Sequence, residues 1–224
     1  MKKIIAAIMA AAMTSAPVLA DPKIEKWNTH HSMGCMLVQD CMEGVEKVTE
    51  FEQIQSLYEG ADYSPYQVEI TALLAELDRI GIDVYLADNK YFPRNHRGVY
   101  HTEYNRFYLN VAHMWDPEVT LKVMRHEAWH AAQDCMAGTF KNNFIAVILQ
   151  DGAVPNGYTV RANVAYSMMP SSVPWEAEAM YAADVEGQTV NALRACDNEG
   201  VNMWDVFEPT PMTREWLTKN GYIK

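Results

Sequence analysis

Positive charge and long apolar runs are what this chain has least of. Only 18 lysines and arginines stand against 29 aspartates and glutamates, a formal net charge of −11. So acidic a chain argues against nucleic acid and anionic membrane surfaces as partners, while a cationic partner stays permitted. No run reaches the roughly 20 apolar residues of a bilayer-spanning helix, so stable membrane insertion is not expected. Internal repeats and low-complexity tracts are missing too, which excludes solenoids and biased linkers. With a hydrophobic content of 49%, the remainder can bury one substantial core.

The apolar stretch from Ile4 to Met13 is too short for a span, and it follows the basic Met1-Lys2-Lys3 and precedes Val18-Leu19-Ala20. This is the pattern of a signal peptide (residues 1–20) cleaved after Ala20, which predicts one exported domain over residues 21–224, periplasmic or secreted. No cysteine stands at the cleavage site to carry a lipid. Losing Lys2 and Lys3 takes the net charge from −11 to −13. Cysteine is scarce: Cys35, Cys41, Cys135 and Cys196 are the four. In an oxidising compartment they predict two disulfides, with three connectivities open. A Cys135–Cys196 bridge would join the end of a helix closed by Cys135 to the end of a later helix begun by Glu176, near which Cys196 is expected, leaving Cys35 and Cys41 to close a small loop. The rival is a structural metal site made by His30, His31, Cys35 and Cys41, at an irregular spacing.

Against these absences stands His126-Glu127-Ala128-Trp129-His130. On an α-helix, positions i and i+4 lie roughly 40° apart and about 6 Å along the axis, so both imidazoles can converge on one metal ion. Glu127 is rotated by about 100° from His126, which suits a base beside the metal better than a ligand. Asp116-Pro117-Glu118 upstream supplies an N-cap carboxylate, a proline at the first helical position and an acid in the first turn. No glycine or proline interrupts before Gly138, so a helix of roughly 20 residues is predicted, with the motif at its middle. Two buried core histidines are the ordinary alternative.

A catalytic zinc site needs a third protein ligand and an open position for water. Trp175-Glu176-Ala177-Glu178-Ala179-Met180-Tyr181-Ala182-Ala183-Asp184 follows Pro170 and Pro174 and reads as another helix start. Here the chain resembles the gluzincin metallopeptidases, in which a glutamate on a later helix completes the site. The run of Glu176, Ala179 and Tyr181-Ala182-Ala183 is similar to the Glu-x-x-Ala segment of ImmA/IrrE-like peptidases. The resemblance implies Glu176 as third ligand of a Zn2+ site with His126 and His130. Glu178 is the competitor, since about 200° separates the two around the helix and both cannot face one metal. Met136 stands where a metzincin would have its third histidine. Met180 replaces the polar residue of the related patterns, which leaves Asp184 or Asp134 to orient a histidine.

The rest of the chain reads more simply. Gln67 to Ile80 has helical periodicity stopped by Gly81, residues 83–87 read as a strand, and residues 98–110 as a β-hairpin before the motif helix. Residues 45–58 read as helical, and 139–173 as a long, partly irregular connection. Tyr158, Arg161 and Tyr166 on that connection are candidates to stabilise an oxyanion, outside the core site. The predicted fold is α+β: a mostly helical single domain with a small sheet on the motif helix. The expected function is a zinc-dependent hydrolase of peptide or protein substrates with Glu127 as base. An exported metal-binding or interaction domain without turnover is the alternative. Oligomeric state is open.

Overall fold

The computed structural model describes residues 31–140, 143–196 and 202–224. The expected signal peptide and His30 lie outside them. A helix over residues 31–37 (α1) comes first. A small mixed sheet follows from β1 (Val45–Val48), β2 (Asp83–Ala87), β3 (Gly98–His101) and β4 (Arg106–Asn110), in the order β1-β2-β4-β3. β1 and β2 run antiparallel, β2 and β4 parallel, β4 and β3 antiparallel. The fold is α+β, as the sequence implies. Among the described residues, no helix is long and apolar enough to cross a membrane.

The period of two along the strands separates the two faces of the sheet. Val84 and Leu86 of β2, with Phe107 and Leu109 of β4, enter the main core against the helices. Tyr85, Ala87 and Tyr108 face the other way, onto Met36 and Leu37 of α1. Tyr85 and Tyr108 are register partners, their rings stacked 5.1 Å apart. With both faces covered, β2 and β4 are buried almost throughout.

Helix α4 (Pro117–Met136) is 20 residues long and carries the motif at its middle. Its start is the one expected: Asp116 Oδ1 accepts from Val119 N at 3.2 Å, Pro117 needs no donor, and Glu118 pairs with Lys122 one turn on. At its far end Gly138 has φ +108° and lies against Tyr222, whose ring a Cβ there would strike at 2.6 Å. α4 packs on α3 (Gln67–Arg79) and on α6 (Val173–Ala183). α4 and α6 are in contact, and both put fully buried alanines into the same core, Ala128, Ala131 and Ala132 from α4 and Ala179 and Ala182 from α6. Small side chains let the two backbones approach closely, which sets how far the motif histidines of α4 stand from Glu176 of α6. Buried Arg125 locks the arrangement, donating to Glu69 of α3 through Nε and Nη2 and to Ala183 O at the end of α6.

Three expectations are corrected. Residues 45–58 are not one helix: Val45–Val48 is strand β1, and only Phe51–Gln55 (α2) is helical, after a capping box between Glu50 and Gln53. Cross-strand pairing of two valines with β2 outweighs a weak helical pattern. Residues 139–173 contain a regular helix, α5 (Asn156–Ala165). Its only buried residue is Ala162, while Val160 and Val164 point outward, so no apolar stripe betrays it. Cys196 does not end the helix begun by Glu176: Gly187, at φ +72°, breaks the chain before α7 (Gln188–Arg194). Short helices α8 (Met203–Val206) and α9 (Pro211–Lys219) complete the chain.

The cysteines pair as Cys35–Cys41 and Cys135–Cys196. The second bridge closes the C-terminal end of α4 onto the end of α7. The first takes both sulfurs away from the alternative metal site with His31. Two such bridges fit an oxidising environment.

Candidate metal centre

The i, i+4 spacing on α4 brings His126 and His130 onto one face, their rings 4.9 Å apart and edge to face. Glu176, in the first turn of α6, reaches across the close α4–α6 contact. Its Oε2 lies 3.3 Å from His126 Nε2 and 3.7 Å from His130 Nε2. One ligand atom from each residue lies within 4.8 Å of the others, and among the described residues this is the group that could hold a metal ion. Glu176 Oε2 is buried and has no hydrogen-bond donor. An orphaned carboxylate oxygen facing two imidazole nitrogens is what a cation between them would satisfy. The side chains of His126, His130 and Glu176 are 18%, 11% and 15% exposed, shielded from bulk water yet reachable.

The electrostatics agree. Burial works to raise the Glu176 pKa, but His126 and His130 more than offset it and hold the carboxyl well below its usual range. Burial likewise works to lower the His130 pKa, and the carboxylates of Glu176 and Glu127 overcome it, raising it to about 9.

Glu178, the competitor, is a structural carboxylate. It is 2% exposed and accepts from Ile148 N at 2.9 Å, Leu149 N at 2.7 Å, Gln133 Nε2 at 2.8 Å and Trp129 Nε1 at 3.3 Å. It thereby pins the irregular apolar segment around Val147 onto the two helices. Burial raises its pKa, against the pull of these donors.

Gln133, one turn after His130, is the supporting residue that sequence reasoning missed. Its Nε2 donates to Glu178 and to Trp175 O, so its Oε1 faces His130 Nδ1 at 2.8 Å and accepts from it. That fixes the tautomer whose Nε2 lone pair is free for a cation. The two aspartates proposed for this task do other work. Asp134 accepts from the Tyr100 hydroxyl at 2.7 Å, and burial raises its pKa to about 8. Asp184 accepts from the Tyr158 hydroxyl at 3.0 Å and lies near Lys122 and Arg161.

Glu127 faces the cleft beside His126. Its Oε2 accepts from Tyr100 N of β3 at 2.9 Å. β3 is an edge strand, and Arg97 O accepts from Asn110 N on the inner side, so by alternation the groups of Gly98 and Tyr100 point outward. Gly98 touches the motif helix: a Cβ there would lie 2.9 Å from Glu127 Cγ and 3.0 Å from Val123 Cγ1. The cleft above has a volume of about 740 Å³, running from residues 94–98 across α4 to α5 and the end of α6.

Of the three oxyanion candidates, Tyr158 and Arg161 turn toward Asp184. Tyr166, at the end of α5, lines the cleft close to Glu176, and burial together with the carboxylates of Glu176 and Glu127 pushes its pKa far up. It is a neutral hydroxyl at the site, and of the three candidates it is the one the fold brings to the cleft beside Glu176. Comparison of the chain with protein-family models, with curated proteins and with solved structures finds no match.

Proposed function

We propose that the chain is an exported zinc-dependent hydrolase acting on peptide bonds. The observation that carries this is the meeting of two imidazole nitrogens on a single orphaned carboxylate oxygen, at 3.3 and 3.7 Å, with a second glutamate beside them at the floor of a cleft. Donors about 2.0–2.1 Å from one tetrahedral zinc stand about 3.3 Å from each other, the scale of the two oxygen–nitrogen distances here. Two histidines and a glutamate leave one position open, the composition of a catalytic rather than a structural site. When bound, zinc would acidify a water to a pKa of about 7 and polarise a carbonyl.

The side chains divide the remaining work. Glu127, steadied at Oε2 by Tyr100 N, accepts the proton of the attacking water on Oε1 and returns it to the leaving amine. The Tyr166 hydroxyl, held neutral, donates to the carbonyl oxygen as negative charge gathers on it. Gln133 keeps His130 in the tautomer that can bind. The outward groups of edge strand β3 that Glu127 does not use, those of Gly98 and the Tyr100 carbonyl, pair with an extended substrate backbone. The resemblance at the motif supports peptides as substrates.

A quenched-fluorescence peptide library tests the reading. The expected result is cleavage by protein reconstituted with stoichiometric zinc, loss of cleavage with a chelator, and recovery when zinc is restored. Stoichiometric zinc with no cleavage of any peptide class would leave a metal-binding domain without turnover.

A further inference from the structure

We propose that the mouth of this cleft receives a carboxylate of the substrate, and that Arg94 and Arg97 are the residues that hold it. The assignment takes the hydrolase reading for what the cleft does and derives from the cleft's own charges what it accepts.

The chain carries a net charge of −11, yet the cleft reverses that sign. Four of its lining residues, Arg94, Arg97, Lys122 and Arg161, are cationic, against the two acids Glu127 and Asp184. The cations differ in what they already touch. Lys122 Nζ is engaged by Glu118 at 2.9 Å and Asp184 at 3.4 Å, and Arg161 lies 3.8 Å from Asp184. The side chains of Arg94 and Arg97 are exposed and, among the described residues, their guanidinium groups have no hydrogen bond or ion pair.

Their backbone, in contrast, is fixed. His96 N donates to Pro93 O at 3.0 Å, and Asn110 ties the turn down twice, through Nδ2 to His96 O at 2.8 Å and through N to Arg97 O at 2.9 Å. Asn95 takes a left-handed φ of +70° to complete the turn. Two unpaired guanidinium groups thus stand on a rigid turn directly before Gly98, where edge strand β3 begins. A guanidinium offers five donors in a planar fork and no acceptor, which matches a carboxylate in two-bond geometry.

The rest of the cleft adds the second half of the selectivity. Val119, Val123, Met169 and Met180 line it, so an apolar side chain next to the carboxylate is accommodated. The net charge of the molecule repels a negatively charged ligand and the cationic mouth attracts it, which orients it as well as binding it. The overall charge would permit a cationic substrate; the cleft favours an anionic one. The carboxylate comes either from an Asp or Glu side chain or from a free peptide C-terminus.

The test uses fluorescent heptapeptides with an apolar centre in three forms: flanked by Asp and Glu, flanked by Asn and Gln with a free C-terminus, and flanked by Asn and Gln with an amidated C-terminus. Binding is read by anisotropy on zinc-loaded protein carrying Glu127→Gln, and cleavage on wild type. The expected result is that one carboxylate-bearing form binds about tenfold or more tighter than the amidated neutral form. That preference is expected to vanish in R94E/R97E and to survive Arg214→Gln, a charge change at a distant surface pair. The acidic flanks or the free C-terminus, whichever gains, identifies the source. Equal binding of all three forms, or no binding of any, overturns the carboxylate assignment. Equal cleavage rates overturn it too and leave the hydrolase reading standing. Tight, R94E/R97E-sensitive binding without cleavage by wild type keeps the carboxylate site and overturns hydrolysis.

Discussion

The backbone N–H of Tyr100 donates to Glu127 Oε2 at 2.9 Å, joining the edge strand to the one carboxylate that faces the cleft beside His126. One oxygen is held and the other left free, which is the condition of a base that must be placed but not consumed. Gly98, two residues before, touches the same side chain. Gly98→Ala would put a methyl 2.9 Å from Glu127 Cγ and 3.0 Å from Val123 Cγ1, so Glu127 must shift. Turnover is expected to fall on the order of 10- to 100-fold, from a displacement of under 1 Å. Zinc stoichiometry, measured on the same sample by elemental analysis, is expected to hold; loss of both together would mean that the strand supports the helix rather than the base.

Glu176 and Glu178 sit two residues apart and are expected to fail differently. Glu178→Ala strips the acceptor from two backbone amides, Gln133 and Trp129, and should cost on the order of 3 kcal/mol or more in urea denaturation of metal-free protein. Glu176→Ala removes the carboxylate that faces His126 and His130, and its larger effect is expected in metal affinity. Gln133→Leu lies between them, releasing His130 and lowering affinity about 10- to 100-fold. If Glu178→Ala lost metal and kept stability, the roles of the two carboxylates would be reversed.

Metal affinity should rise with pH. His130 must lose a proton to bind, and the carboxylates around it raise its pKa to about 9. Competition against a chelator is therefore expected to show affinity rising about tenfold per pH unit through neutral pH and levelling near 9. The metal-free protein has the opposite slope from this group. A folded pKa above the unfolded value of about 6.5 gives stability that is full below that pH and lost as pH rises to about 9.

Asp134 supplies a second pH dependence, separable by mutation. Burial raises its pKa to about 8, so between the unfolded value of about 3.9 and 8 the folded state holds the extra proton. Stability contributed at this position falls as pH climbs through that window. Asp134→Asn keeps a polar partner for the Tyr100 hydroxyl and removes the titration. Thermal melts of the zinc-loaded variant should show a flatter profile from pH 4 to 8 than wild type; identical profiles would place the proton elsewhere.

Local signals made α4 legible. Its N-cap, proline and first-turn acid are neighbours in sequence, and the structure uses each of them as expected. The choice of Glu176 came from the motif resemblance, because what disqualifies Glu178 is the segment around Val147, whose amides it accepts and whose path no periodicity records. α5 stayed hidden because its faces are nearly alike in polarity, so nothing local separated Tyr166, which lines the cleft, from Tyr158 and Arg161, which turn toward Asp184. Val45–Val48 was misread because strand pairing with β2 is a long-range fact. Gln133 was the one omission with a local signal: it lies at i+3 from His130, on the same helical face. The reversed charge of the cleft, gathered from residues near 94, 122 and 161, exists only once the chain has folded.

The Glu127→Gln variant, assayed at once for zinc content and peptide hydrolysis, separates a working hydrolase from a metal-holding domain. The amide still accepts from Tyr100 N but cannot take a proton. The expected result is stoichiometric zinc with hydrolysis lowered by about 10²- to 10⁴-fold. A variant that keeps its zinc and cleaves as fast as wild type would contradict the role assigned to Glu127 and, with it, the proposed mechanism.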